Sequence, residues 1–236
     1  GYSYFAACET VKILGLGTNC HAIDTFAGDE HAGFYDHSIY DDVCIRNADY
    51  AGFSSIHQMT FADALEKFDD CSIDILHIDG RHFYADVKED YETWSRKLTP
   101  DAVVLFHDTN VRERDFGVWK LFSELKARHP SFEFFHNHGL GVIAPGAQPP
   151  ALSGLFSMGD EAAAAFRRTM ETLGERLSLR YQLNESDRAL HGAKAETDFV
   201  RAELASARDE EHARRNEADR LRSELGLIHA QCERLE

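Results

Sequence analysis

Two short apolar runs constrain this chain more than any other feature: Ile73 to Ile78 and Val103 to Phe106. Neither alternates with polar residues, and each stops at chemistry-bearing side chains. Continuous apolar runs of this length are expected of strands buried on both faces of a parallel sheet. Between them Tyr84, Val87, Tyr91, Trp94 and Leu98 recur at helical spacing and would cover one face. Strand, helix and strand in that order make a parallel βαβ unit, and repeated units of this kind predict a doubly wound α/β sheet.

The flanking segments extend the pattern. Ser3 is expected to cap a helix running to about Leu14 and closed by Gly15 and Gly17. Cys20 to Ile23 reads as a short strand ending at Asp24. A loop dense in charge, glycine and aromatics follows, TFAGDEHAGFYDH. Ser54 to Gln58 is a third strand segment, and Thr60 caps a helix from Phe61 to Phe68. Beyond the second apolar run, Phe116 to Arg128 is amphipathic, with Val118, Leu121, Phe122 and Leu125 inward. Phe132 to His136 and Leu140 to Ala144 would close the domain as an antiparallel pair around Asn137, His138 and Gly139.

A formal net charge of -16 over 236 residues excludes a nucleic-acid surface, which needs clustered Lys and Arg. It suits a small cationic or metal-bound ligand. The five cysteines are odd in number and have no CxxC spacing, so reduced thiols of a cytoplasmic protein are expected rather than disulfides or a zinc site. No signal peptide is visible, and no apolar run is long enough to span a bilayer. The chain lacks an initiator Met and stops inside a periodic helix, so it reads as a fragment of a longer protein.

Composition divides it into an α/β domain (1–144), a linker (145–159) rich in Pro, Gly, Ala and Ser, and a helical tail (160–236). In the tail, Leu179, Leu183, Ser186, Leu190, Ala193, Thr197, Val200, Leu204 and Ala207 fall at alternating spacings of four and three. Glu211, Arg214, Ala218, Leu221, Leu225, Ile228, Cys232 and Leu235 continue the register. That repeat predicts a coiled coil with a second copy or a partner helix. A solvated single helix or a partly disordered connector is the alternative.

Ligands of open α/β sheets sit beyond the carboxyl ends of the strands. There the first apolar run delivers His77, Asp79 and His82, and the second delivers His107, Asp108 and Asn110. Oxygen ligands from two adjacent loops suit Mg²⁺ or another hard divalent cation, and a nearby imidazole could take a proton from a metal-acidified hydroxyl. The plainer alternatives are an Asp that merely caps the next helix and a His82 that caps or packs under Tyr84. Asp24, after the second strand, fits an acid that bonds a ribose. Gly15-Leu16-Gly17 follows a helix and precedes a strand, the reverse of a phosphate-cradling order.

HIDGRHFYADVKEDYETW, then LTPDAVVLFHDTNVRERDFGVWKLF, and earlier AIDTFAGDEHAGFYDH, resemble the class I S-adenosylmethionine-dependent methyltransferases found alone or attached to bacterial glycosyltransferases. The resemblance covers roughly residues 1–144. It implies a Rossmann-like sheet with S-adenosylmethionine across the early strand tips. Asp24 would hold the ribose, Thr60 and Phe61 would lie near the adenine, and His77 and Asp79 near the methionine end. It also implies Asp79 and Asp108 as metal ligands, with His107 or Asn110 as a third, and His82 as the base. The acceptor would be a small molecule or the hydroxyl of a sugar or glycan, and the full-length protein could carry a glycosyltransferase domain.

The family's first strand and most of its glycine-rich loop are not found ahead of this helix; only Gly1 and Ser3 match the loop's end. The resemblance thus implies an N-terminally incomplete sheet with two unpaired edges or a gap, and poor cofactor binding by the chain as given. An O-methyltransferase is the first reading. A catalytically incomplete module that docks partners through its coiled coil is the second, and a metal-dependent hydrolase using the His/Asp cluster is a third.

Overall fold

The computed structural model describes residues 1–31 and 33–232; Leu235, in the tail repeat, lies outside the described residues. The chain forms two compact units, residues 1–169 and 170–236.

The first unit opens with helix α1 (Tyr2–Leu14) and strand β1 (Cys20–Asp24). Gly15 closes the helix at φ 61°, in the left-handed region that glycine enters at little cost. Ser3 is not the cap. The helix already contains it, Gly1 takes the cap position, and no side chain bonds there. The loop after β1 holds a small antiparallel pair, β2 (Gly28–Asp29) and β3 (Gly33–Phe34). Next comes a helix absent from the sequence reading, α2 (Ser38–Asn47). Asp36 fixes the turn into it, its carboxylate accepting from the Ser38 amide at 2.9 Å. Strand β4 (Ser54–Gln58) then pairs in parallel with β1. Thr60 caps α3 (Phe61–Ala64) as expected, its hydroxyl accepting from the Asp63 amide at 3.1 Å, and a single 3₁₀ turn completes the segment.

The expected βαβ unit follows as β5 (Ile73–Ile78), α4 (Tyr84–Trp94) and β6 (Leu98–His107). Leu98 starts β6 instead of ending the helical ladder, yet it is buried in the same core. Helix α5 (Val118–Lys126) leads into β7 (Ser131–Phe134) and β8 (Leu140–Ile143). Strand β8 is antiparallel to both β6 and β7, which gives the order β5-β6-β8-β7. Strands β1 and β4 form a separate two-stranded sheet. Among the described residues, β1 and β5 are thus each paired on one side only. This is the division that the resemblance implies for a sheet lacking its central strand.

Helices α4 and α5 cover one face of the four-stranded sheet, where Val87, Leu121 and Phe122 meet Val104, Phe106 and Ile143. The opposite face corrects the expectation of strands buried on both sides, since Ile75 is 67% exposed. The helices that could have covered it, α1 and α2, contact β1 and β4 instead, where Phe5, Cys8 and Tyr50 form a second small core.

After β8 the chain stays tied to the domain, with the Ala147 amide donating to the Pro100 carbonyl at 2.7 Å. A short helix, α6 (Ser153–Phe156), precedes the long α7 (Asp160–Cys232). The first turns of α7 belong to the α/β unit: Ala163 is buried, Phe166 meets Phe132 and Phe134, and the Arg167 guanidinium donates to the Glu133 carbonyl at 2.6 Å. No described helix is long and apolar enough to cross a membrane.

This one-sided core makes a simple prediction. Phe122→Ala should cost about 3–5 kcal/mol of unfolding free energy in urea titrations. Ile75→Ala, on the open face of the same sheet, should cost less than about 1 kcal/mol. Equal losses at the two positions would contradict the assignment of the faces.

Candidate functional site

Parallel pairing sets Ile78 beside Phe106, so Asp79 and His107 emerge together at the strand tips. His107 Nδ1 lies 3.3 Å from Asp79 Oδ1 and 3.1 Å from Asp108 Oδ1. His82, from the loop before α4, brings Nε2 to 2.7 Å from Asp108 Oδ2. His138, in the turn between β7 and β8, places Nδ1 3.4 Å from Asp108 Oδ1. The Asp108 side chain is only 6% exposed, and three imidazoles converge on it.

The backbone there is unusual. Asp108 has φ 61°, a region that costs a non-glycine residue energy and that often marks a functional position. Its amide donates to the Gly139 carbonyl at 3.1 Å, and the Asn110 amide donates to the His138 carbonyl at 2.8 Å. Gly139, at φ 88°, allows this approach, because a Cβ there would stand 2.7 Å from the Asn110 nitrogen. The β7–β8 turn thus braces the end of β6. The Asn110 side-chain amide is used elsewhere, donating to the Phe135 carbonyl at 2.8 Å.

Charge follows geometry. Burial works to raise the Asp108 carboxyl, but His107 and His82 outweigh it and hold the group well below the usual carboxylate range. Asp79 behaves alike: burial opposes its charge and His107 restores it, leaving the carboxyl lowered. Reciprocally, His107 is pushed up to about 10 by Asp108 and then Asp79. His77 is shifted down by burial, and its Nε2 is buried without a hydrogen-bond partner. An ionised carboxylate only accepts, so a neutral His82 donates from Nε2–H to Asp108 and keeps its lone pair on Nδ1. That Nδ1 is buried and has no hydrogen-bond partner, while the ring stacks on Phe116 at 4.5 Å.

Donor atoms of Asp79, His82 and Asp108 all lie within 4.8 Å of one another. Asp108 Oδ1 is buried, with His107 Nδ1 at 3.1 Å and His138 Nδ1 at 3.4 Å. A dense set of oxygen and nitrogen donors fits a hard divalent cation. Asp29, His31 and His82 form a second such group. His31 packs on Phe116 at 4.4 Å, and its carbonyl accepts from the Arg114 guanidinium at 2.5 Å. Asp29, His31 and His138 were not among the site residues expected from sequence. Their loops are rich in histidine and glycine, but nothing in their spacing says that they fold back onto a strand tip.

The residues expected around the ribose and adenine lie with the other sheet, whereas His77 and Asp79, expected near the methionine end, stand on and just after β5. Asp24 ends β1, its Oδ1 accepting from the Phe26 amide at 2.7 Å, and Gly1 and Ser3 lie at the start of α1. Thr60 and Phe61 line a cavity of about 240 Å³ together with Arg81, Asp86 and Asp90. The Phe61 ring presses on Gly80 so closely that a Cβ there has no room. The structure therefore brings Asp79, His82, His107 and Asp108 into one cluster, with His77 beside His107 at a ring separation of 6.3 Å.

Residues 1–109 match the model of a family described as a methyltransferase domain. The resemblance to class I S-adenosylmethionine-dependent methyltransferases is borne out there. Over 143 residues the chain is 52% identical to the uncharacterized protein y4gI of Sinorhizobium fredii, a match covering 61% of this chain and 16% of that protein. This chain therefore spans about a sixth of that relative's length. Among solved structures, the O-methyltransferase TomG of Streptomyces achromogenes, in complex with S-adenosylmethionine, is 14% identical. That match covers 62% of this chain and 91% of TomG at a TM-score of 0.39. Spermidine synthase of Thermotoga maritima is also 14% identical, covering 66% of this chain and 60% of that one at 0.39. Likeness at this level carries no argument, and the α/β architecture stands on the elements described above.

Asp90, on α4, lines the cavity beside Thr60 and Phe61. Burial first, then Asp86 and Glu89, push the Asp90 carboxyl from 3.8 to about 6. A raised carboxyl favours the protonated fold, so stability is lost as pH rises from the ordinary value through about 6. Asp90→Asn should therefore raise the melting temperature at pH 8 and change it little at pH 3.5. Thermal melts showing the same difference at both pH values would contradict this environment.

Proposed function

We propose that the α/β unit is an S-adenosylmethionine-dependent O-methyltransferase domain acting on a hydroxyl of a sugar or glycan, assisted by a divalent cation. The observation that carries this reading is the buried Asp108 carboxylate, paired with His82 and His107 beside Asp79, in a chain whose first 109 residues match a methyltransferase family. S-adenosylmethionine supplies an electrophilic methyl group when bound. The acceptor oxygen must lie in line with the methyl–sulfur bond and must lose its proton. His82 serves as the base: Asp108 accepts from Nε2–H and orients the ring, and Nδ1 takes the hydroxyl proton. Asp79 and Asp108 would hold the cation, which lowers the acceptor's proton affinity when bound.

On the cofactor side, Asp24 would reach a ribose hydroxyl with its second carboxylate oxygen. Thr60 and Phe61 would flank the adenine, with His77 and Asp79 toward the methionine end and Gly1 and Ser3 at the helix start. A glycosyltransferase domain in a longer natural protein would deliver a glycan acceptor directly. Free thiols at Cys8, Cys20, Cys44 and Cys71 suit a reducing cytoplasm.

One observation favours a second reading. Strands β1 and β5 are each paired on one side only, at the place where the cofactor would cross the sheet. A methyltransferase-like module that does not turn over, and acts through its tail, would share this architecture.

Transfer of a labelled methyl group to a panel of sugars, in this chain and in the natural full-length protein, separates the readings. His82→Ala should lower kcat by roughly 10²–10⁴-fold, with cofactor affinity by calorimetry unchanged. Full activity of that variant would exclude His82 as the base, and full activity in EDTA would exclude the metal. Absence of S-adenosylmethionine binding in both forms would favour the second reading.

A further inference from the structure

Residues 170–232 continue helix α7, and the large apolar side chains from Leu173 to Leu227 stand exposed. Leu183, Leu190, Val200, Leu204, Leu221 and Leu225 are each between 51% and 66% exposed. With Leu183 at position a of the seven-residue repeat, Leu190, Leu204 and Leu225 also fall at a, and Val200 and Leu221 fall at d. Gly174, Gly192 and Gly226 fall at f, c and b, outside the seam and in open space. An apolar seam by itself does not say what covers it.

The flanking positions do. At g stand Glu175, Glu196, Glu203, Glu210, Glu217 and Glu224. At e stand Arg180, Lys194, Arg201, Arg208, Arg215 and Arg222, with Asp187 as the exception. In a parallel pair, each g lies beside the e residue five positions further along the other helix. Glu196 then meets Arg201 of the second copy, and Glu203, Glu210 and Glu217 meet Arg208, Arg215 and Arg222. Symmetry makes each pair twice, and Asp187 faces only Gln182. In an antiparallel pair g faces g and e faces e, which sets Glu against Glu and Arg against Arg. One sequence thus carries both halves of every ion pair, at the offset that parallel self-pairing needs.

Register is specified separately. Between Leu179 and Leu225 the only charges on the seam are Glu211 at a and Arg214 at d. In register, Glu211 faces Glu211 of the other helix and Arg214 faces Arg214, and each Glu211 reaches the Arg214 one layer along on the other helix. A slip of one heptad would set Glu211 against Leu204 or Ala218, unpaired, the kind of cost by which a polar layer fixes register. Within one helix these arginines already pair with their own neighbours, as in Arg215–Glu211 at 2.7 Å, but both side chains are more than half exposed. Exposed pairs of this kind are weak and exchange readily.

We propose that residues 175–225 form a parallel, in-register, two-stranded coiled coil with a second copy of this chain. Sedimentation equilibrium of the whole 236-residue chain should give twice the 26.7 kDa chain mass. Glu196→Lys, Glu203→Lys, Glu210→Lys and Glu217→Lys together should weaken association on the order of 100-fold or more. Arg201→Glu, Arg208→Glu, Arg215→Glu and Arg222→Glu together should do the same, and an equimolar mixture of the two variants should restore the dimer. Circular dichroism of each variant checks that the α/β unit remains folded. Orientation is read from Leu183→Cys in a Cys232→Ser background, which should cross-link under mild oxidation while Cys232→Ser alone does not. A monomer at about 100 μM, a trimer or tetramer, charge variants that self-associate like the wild type, or a dimer without the cross-link at 183 would each overturn the proposal.

Discussion

The parallel pairing of β5 with β6 is the constraint on which the rest depends. Its register puts Ile78 beside Phe106 and turns Phe106, Val104 and Ala102 toward α4 and α5. A slip of one residue would exchange the faces of β6, exposing Phe106 and driving His107 into the apolar core. The packing that fixes the sheet therefore also fixes the separation of Asp79 from His107. Asp108 then lies one residue past the strand, nearly buried and in a left-handed backbone conformation. A buried carboxylate costs several kcal/mol unless it is paired, and here the imidazoles of His82, His107 and His138 surround it. Fold and site are thus secured by the same strands.

What could be read in the sequence follows from where the signal is local. The apolar runs and the helical ladder between them identify β5, α4 and β6, and the residues at their ends name Asp79, His82, His107 and Asp108 directly. Three features were not legible. His138 comes thirty positions after Asp108 and reaches it only because β8 returns antiparallel beside β6, a matter of strand order and not of spacing. His31 reaches His82 and Phe116 across 51 and 85 positions from a loop with no periodicity. The open face at Ile75 depends on where α1 and α2 pack, and the apolar run alone cannot report which helices will cover it. Asn110, by contrast, was legible as a polar residue at a strand end, while the use of its amide by Phe135 was not.

The division of the sheet separates two tasks. The four-stranded half holds the Asp and His cluster and the larger core, and none of the contacts that define the cluster comes from β1 or β4. The two-stranded half carries Asp24, Thr60 and Phe61. The residues proposed for the acceptor side and those proposed for the ribose and adenine thus stand on different sheets, which touch where the Phe61 ring covers Gly80. This independence explains why a well-formed acid–imidazole site is compatible with either an active or an inactive module.

Charge distribution bears on where such a chain can meet another copy. Of the 41 acids, 24 lie in residues 1–150 against 12 bases, whereas residues 151–236 hold 17 acids and 13 bases. The α/β unit is therefore strongly acidic and the tail is nearly balanced. Two acidic domains repel, but screening at physiological salt confines that repulsion to about 8 Å. Along the tail the charges are sorted by position, acids at g and bases at e, so contact distances there bring opposite signs together. A homotypic contact through the domain would have to overcome its net charge. One through the tail meets alternating partners along an apolar seam, and its g and e charges bring opposite signs together only in the parallel orientation.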